Sequence, residues 1–167
     1  RPLGFFPFST IPVNGRGKLF RRGLGVLHCL LVDSADGLIL VDSGYGRRDY
    51  SDPTPLVRAF NIVIGLEKDI KQTAFHQVQA LGYDPDQVKH IFPTHMHLDH
   101  TGGLPDFPHA KVHVFRPELE QALHGAGFLR HFYIDRHRAH EPDWQVYDVN
   151  GDWFDLPRTA PVRIGEV

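Results

Sequence analysis

Thr94-His95-Met96-His97-Leu98-Asp99-His100-Thr101-Gly102-Gly103 places four metal-competent side chains within six positions. In an extended segment, residues two apart point to the same side, so His95 and His97 can converge on one ion. Asp99 and His100 follow where the chain bends toward Gly102-Gly103, placed to address a second ion beside the first. Imidazole plus carboxylate suits zinc, with manganese or iron as alternatives, and does not suit calcium or magnesium. The chain holds 12 histidines in 167 residues. Even so, a chance His-x-His-x-Asp-His somewhere in it has a probability of roughly half a per cent, which disfavours a merely His-rich surface loop.

The flanks supply the context such a loop needs. Residues 90–93 read as a short buried strand that delivers the motif, after one further turn at 85–88. Upstream, Leu56, Phe60, Val63 and Ile64 suit a short helix. Ile70, Ala74, Val78 and Leu81 recur at helical spacing in the next, with Gly82 as its C-terminal cap. Residues 49–55 read as a loop. Residues 26–32 (Val-Leu-His-Cys-Leu-Leu-Val) and 38–41 are apolar runs separated by Asp33-Ser34-Ala35-Asp36-Gly37, the pattern of a hairpin. The second run leads into Asp42-Ser43-Gly44-Tyr45-Gly46, a polar loop at a strand end, where sites are commonly built. The single cysteine, Cys29, excludes an internal disulfide framework and reads as a buried strand residue.

Downstream, residues 111–115 alternate like a half-buried strand, and residues 117–123 start a helix with proline in its first turn. Residues 125–141 show no clear period. Residues 144–149 and 153–156 read as two strands around Asn150-Gly151, a hairpin dipeptide. Residues 1–25 read as an irregular opening segment with at most one short edge strand.

Length indicates one domain. A net charge of −2 gives no electrostatic footprint for nucleic acid, and no polybasic segment points to a membrane surface. No apolar run is long enough to span a bilayer, and nothing at the start reads as a signal peptide, so cytoplasm is the default expectation.

The motif resembles that of the metallo-β-lactamase-fold hydrolases, with lactonase-type members the most similar. Leu38 to Val41 followed by Asp42-Ser43-Gly44 is similar to the family's strand-Asp-x-Gly turn. Ala80-Leu81-Gly82-Tyr83 and residues 84–92 are similar to its usual lead-in. The resemblance covers most of residues 26–123. It implies that His95 and His97 bind a first metal, that Asp99 and His100 bind a second, and that Asp42 buttresses the metal loop from behind. The implied fold is α/β (α+β): the N-terminal half of an αββα sandwich, a mixed or antiparallel sheet with flanking helices. Residues 1–167 would then form one metallo-β-lactamase-like domain whose C-terminal part is missing. The family's third histidine for the first metal, its bridging aspartate and its last histidine lie beyond a strand that residues 163–167 begin. They are expected from the missing half or from a complementary chain.

Two zinc ions roughly 3.5–4 Å apart lower the pKa of a water between them toward neutrality. Asp99 is then both a ligand and the catalytic group that orients this water. The expected reaction is hydrolysis of an ester, lactone, thioester or amide bond of a small molecule, with this piece alone inactive. One half of the sandwich would also leave a sheet face uncovered. Two other readings stand beside this one: a non-catalytic metal-binding half-domain that pairs with another chain, and an iron-dependent oxidoreductase on the same fold. His131, His137 and His140, among Arg130, Arg136 and Arg138, read chiefly as a solvated loop and secondarily as a substrate or metal cluster. His113 reads as a core or edge residue. Phe128, Phe132 and Tyr133 suit either an amphiphilic substrate or the core.

Overall fold

The computed structural model describes residues 2–6, 23–148, 151–153 and 156–159. Strands β1 (Pro2–Phe6) and β2 (Gly23–Val26) pair antiparallel. The chain then crosses at residues 27–29 into a second sheet at β3 (Leu30–Ser34). The apolar run 26–32 is therefore not one strand, because its two ends pair with different sheets. Cys29 falls in the crossing and is exposed, which corrects its expected burial. The hairpin from β3 to β4 (Gly37–Val41) forms as the turn residues predict. Gly37 adopts φ +108° there, and a Cβ would lie 2.6 Å from the Lys89 side chain, so glycine is required twice over.

After β4 come α1 (Arg47–Ser51), α2 (Pro55–Ile64) and α3 (Ala74–Ala80). The first occupies part of the expected loop 49–55 and buries Asp49. Helix α2 begins on a Thr54 cap with Pro55 in its first turn and stops at Gly65, φ +66°. Helix α3 ends as predicted at Gly82: Gly82 N–H donates to the Gln79 carbonyl (2.9 Å) and Tyr83 N–H to that of Val78 (3.2 Å). This is the paired bonding of a Schellman cap. Strand β5 (Val88–Phe92), the single turn α4 (Leu98–Thr101), β6 (Lys111–Phe115), α5 (Arg116–His124) and β7 (Asp143–Tyr147) follow.

Strands β3 to β7 form a five-stranded mixed sheet in chain order, antiparallel between β3 and β4 and parallel thereafter. Helical crossovers explain the parallel part. In β6, Val112, His113 and Val114 are all buried instead of alternating. Val112 packs with α3 residues and Val114 with α5 residues, while His113 on the opposite face lies between aromatic rings of the flanking strands. One face packs Leu38, Leu40, Ile91 and Val112 against Ala74 and Val78 of α3. On the other, Phe92 stacks on His113 (centroids 4.1 Å) and His113 on Tyr147 (5.7 Å). His113 bonds His90 at 2.8 Å and the Tyr147 hydroxyl at 2.7 Å. Leu30, Val32 and Phe115 stand exposed on their strands.

Strand β8 (Gly151–Trp153) pairs with β9 (Leu156–Thr159), whereas β7 pairs with β6. The expected hairpin joining residues 144–149 to 153–156 is thus replaced: parallel addition to the main sheet claims the first strand. Asn150 of the expected turn, and the strand expected at 163–167, lie outside the described residues.

Two glycine-bearing loops meet backbone to backbone above β4 and β5. Gly103 N–H donates to the Gly44 carbonyl at 3.0 Å, and Ser43 N–H to that of His100 at 2.9 Å. A Cβ on Gly102 would lie 2.2 Å from Asp49 Oδ2 and 2.7 Å from Gly46 N. Arg47 anchors the same loop from outside, donating from its backbone (2.9 Å) and Nε (3.0 Å) to Asp106.

Gly102→Ala should therefore destabilise the fold by about 2–3 kcal/mol through overpacking, read as a lower urea midpoint. A second expectation concerns acid. Burial, His90 and Lys111 together push His113 down to about 4 from 6.5, against the weaker pull of Asp143. The unfolded chain then binds more protons as pH falls, so this stability is present above about 6.5 and lost toward 4. Urea melts at pH 7 and 4.5 should show wild type losing on the order of 2 kcal/mol more than His113→Gln.

Candidate metal centre

The candidate site stands at the carboxyl ends of two parallel strands, where open α/β sheets place their ligands. Asp42 follows β4, is buried, and adopts φ +60°. Its backbone N–H donates to the Phe92 carbonyl at the end of β5 (3.0 Å). Its Oδ1 accepts from Thr94 N at 2.7 Å, and the Thr94 hydroxyl lies 3.1 and 3.0 Å from its two oxygens. Its Oδ2 accepts from His100 Nδ1 at 2.8 Å. That leaves His100 Nε2 as the nitrogen facing outward, 3.5 Å from Asp99 Oδ2.

His95, Asp99 and His100 each offer a ligand atom, all within 4.8 Å of one another. His97 lies beside this trio: its ring centroid is 4.6 Å from that of His95, at 77°. The extended arrangement expected for the motif is replaced by bends at residues 94–97 and the helical turn α4. The turn brings the His100 ring to 4.0 Å from that of His95.

The carboxylates that would draw a cation to the site draw a proton to His100, which a bound metal would have to displace. Burial opposes ionisation of His100, yet its bonds to Asp42 and Asp99 and the field of both carboxylates push it up to about 9. Burial likewise works against Asp42 and Asp99, and their contacts with His100 hold both below the usual carboxylate range. His95 is lowered by burial and by His100 and His97. A transition metal fits this set chemically: imidazoles and a carboxylate converge, and one histidine commits its other nitrogen to a buried carboxylate.

Groups distant in sequence hold the loop. Glu118, in the first turn of α5, accepts from Met96 N at 2.7 Å. His137 is buried and lies 3.0 Å from Asp49 Oδ1 and 3.3 Å from the Thr101 hydroxyl. The solvated-loop reading of the 131–140 histidines is corrected for His137; His131 is exposed, bonded to the Phe128 carbonyl. Proline followed by glutamate at a helix start was a legible hint for Glu118. Asp49 and His137 gave none, being 88 residues apart. Among the described residues no helix is long and apolar enough to cross a membrane.

Comparison with known proteins gives the family of the chain. The family profile described as the metallo-beta-lactamase superfamily matches residues 22–164. The chain is 37% identical over 149 residues to a probable metallo-hydrolase of Mycobacterium tuberculosis, covering 87% of this chain and 48% of that protein. It is 40% identical over 129 residues to an N-acyl homoserine lactonase of Rhizobium radiobacter, covering 75% and 49%. Among solved structures, a Bacillus thuringiensis AiiA variant with N-decanoyl-L-homoserine at its active site superposes with a TM-score of 0.62 at 23% identity, covering 93% of this chain and 60% of that one. A probable metal-dependent hydrolase of Staphylococcus aureus gives 0.64 at 17% identity, covering 87% and 55%. These structural likenesses concern the fold. The chain spans about half the length of the curated relatives it matches. With the profile matched over most of its residues and the motif set on the expected strand ends, the chain belongs to the metallo-β-lactamase superfamily.

Proposed function

We propose that this chain carries the metal loop of a metal-dependent hydrolase that opens the ester bond of a lactone bearing an apolar arm. The observation that carries the reading is the convergence of His95, Asp99 and His100 within 4.8 Å, with His100 backed by Asp42 at 2.8 Å. A histidine ligand whose other N–H is held by a carboxylate is oriented and made more basic. His95 and His97 would hold one zinc, and Asp99 and His100 a second. When bound, such a pair supplies Lewis acidity toward a carbonyl oxygen and a water acidic enough to attack at neutral pH. Asp99, facing the same space, would accept a hydrogen bond from that water and orient it.

A catalytic zinc usually has three protein ligands, and His95 with His97 makes two. The remaining ligands are proposed to come from outside residues 1–167, in the same polypeptide or in a complementary one. We treat residues 1–167 as part of a single domain completed in that way.

Substrate class follows from the wall beside the loop. Leu98, next to His97, lines a cavity of about 240 Å³ with Leu56, Phe60, Phe128, His131 and Phe132. The Phe132 ring lies 5.5 Å from that of His97. An apolar arm would enter this cavity while a polar carbonyl faces the metal loop. Lactonases of N-acyl homoserine lactones among the relatives support this choice over thioesters and amides.

In the full-length protein, His97→Ala and Asp99→Ala should each reduce kcat/KM for N-decanoyl-homoserine lactone by about 10³-fold or more, equivalent to roughly 4 kcal/mol of transition-state stabilisation, with circular dichroism unchanged. Full activity in both variants would overturn the reading.

A further inference from the structure

His97 is gripped from two directions by one segment. The Phe128–Phe132 turn and Tyr133 place two aromatic rings against its imidazole, Phe132 at 5.5 Å and Tyr133 at 4.9 Å between centroids. Tyr133 is also buried in one apolar cluster with Met96, whose N–H donates to Glu118. Four residues further on, His137 reaches behind the loop to Thr101, whose hydroxyl lies 3.1 Å from the His97 carbonyl. That carbonyl also accepts the His100 and Thr101 N–H groups, at 3.0 and 3.2 Å. It therefore fixes the start of α4 and, through it, the direction of Asp99 and His100.

The other side of His137 is tied down as firmly. Its Nε2 lies 3.0 Å from Asp49 Oδ1, and Asp49 Oδ2 accepts from Gly46 N at 3.0 Å. Asp49, Thr101 and His137 are all buried, where an unmatched polar atom is costly. His137 Nε2 faces the Asp49 carboxylate, and the Thr101 hydroxyl sits between His137 Nδ1 at 3.3 Å and the His97 carbonyl at 3.1 Å. Three chain segments, 42–49, 94–103 and 128–138, are joined at this one ring.

We infer that His137 is a positioning residue: a latch, seated on Asp49, that joins the aromatic wall at 128–133 to the metal loop and sets the placement of His97 and α4. The inference rests on the metal-centre reading and extends it to a residue outside the metal loop. A wall joined in this way cannot shift to admit a bulkier substrate without loosening the ligands, so pocket shape and metal affinity vary together.

The test uses cobalt(II) and the full-length protein, with affinity from chelator competition and geometry from the visible absorption bands. Wild type should bind cobalt. His137→Phe, which keeps an aromatic ring and loses both bonds, should bind it about 10–100-fold more weakly with altered bands, the range expected for loss of an outer partner. Thr101→Val, which removes only the hydroxyl, should do the same. His137→Asn, whose shorter amide keeps the Thr101 contact and gives up that with Asp49, should weaken binding clearly less than Thr101→Val does. If His137→Phe does not fold, the contrast between Thr101→Val and His137→Asn decides. Folded variants with affinity and bands like wild type's, lower only in Tm, would overturn the latch and leave the hydrolase reading intact. A wild type that bound no cobalt would end both.

Discussion

The structure depends on two backbones approaching more closely than side chains would permit. Gly44 and Gly46 on one loop face Gly102 and Gly103 on the other, and the hydrogen bonds between them leave no room for a Cβ at Gly46 or Gly102. That contact seats the metal loop on the ends of β4 and β5. It also brings the Asp42 carboxylate to His100 and Thr94, and so converts a run of histidines into an oriented set of donors. The strand ends supply the position, the glycines the proximity and Asp42 the direction.

Around this contact the molecule is arranged as successive supports. Leu38, Leu40, Ile91 and Val112 fix the sheet against α3. Met96 is buried with Val114, Leu119, Ala122 and Tyr133, so the residue between His95 and His97 is itself an apolar anchor. Leu98 is buried with Tyr45, Val57 and Ile134. Alternation along the motif thus has a packing reason: Met96 and Leu98 point inward, and the residues between and after them are free to face a ligand. A loop held by its apolar members can present charged ones without collapsing on them.

What the sequence reveals and what it hides divide along the distance of the contacts. His95, His97, Asp99 and His100 are legible because they are neighbours in the chain, and Gly82 because a helix cap is a local event. The hairpin at residues 33–37 is legible for the same reason. Asp42 became readable through family likeness, since its partner His100 is 58 residues away. Nothing local marks Asp49 or His137. Their meaning arises only when α1 and the 128–138 segment fold against the loop from opposite sides. The misread stretches follow the same logic: residues 26–32 look continuous until two sheets compete for them, and residues 111–115 look half-buried until the Phe92 and Tyr147 rings of the flanking strands enclose His113. Asn150-Gly151 carries a hairpin signal that the main sheet outbids by drawing β7 onto β6.

Crystals of the full-length protein grown with zinc, measured on both sides of the zinc absorption edge, give the most direct test of the central claim. The account predicts anomalous peaks within bonding distance of His95 and His97 and of Asp99 and His100, with His100 Nδ1 still on Asp42. Ordered zinc bound elsewhere, or a well-ordered loop with no anomalous peak against these four side chains, would contradict it.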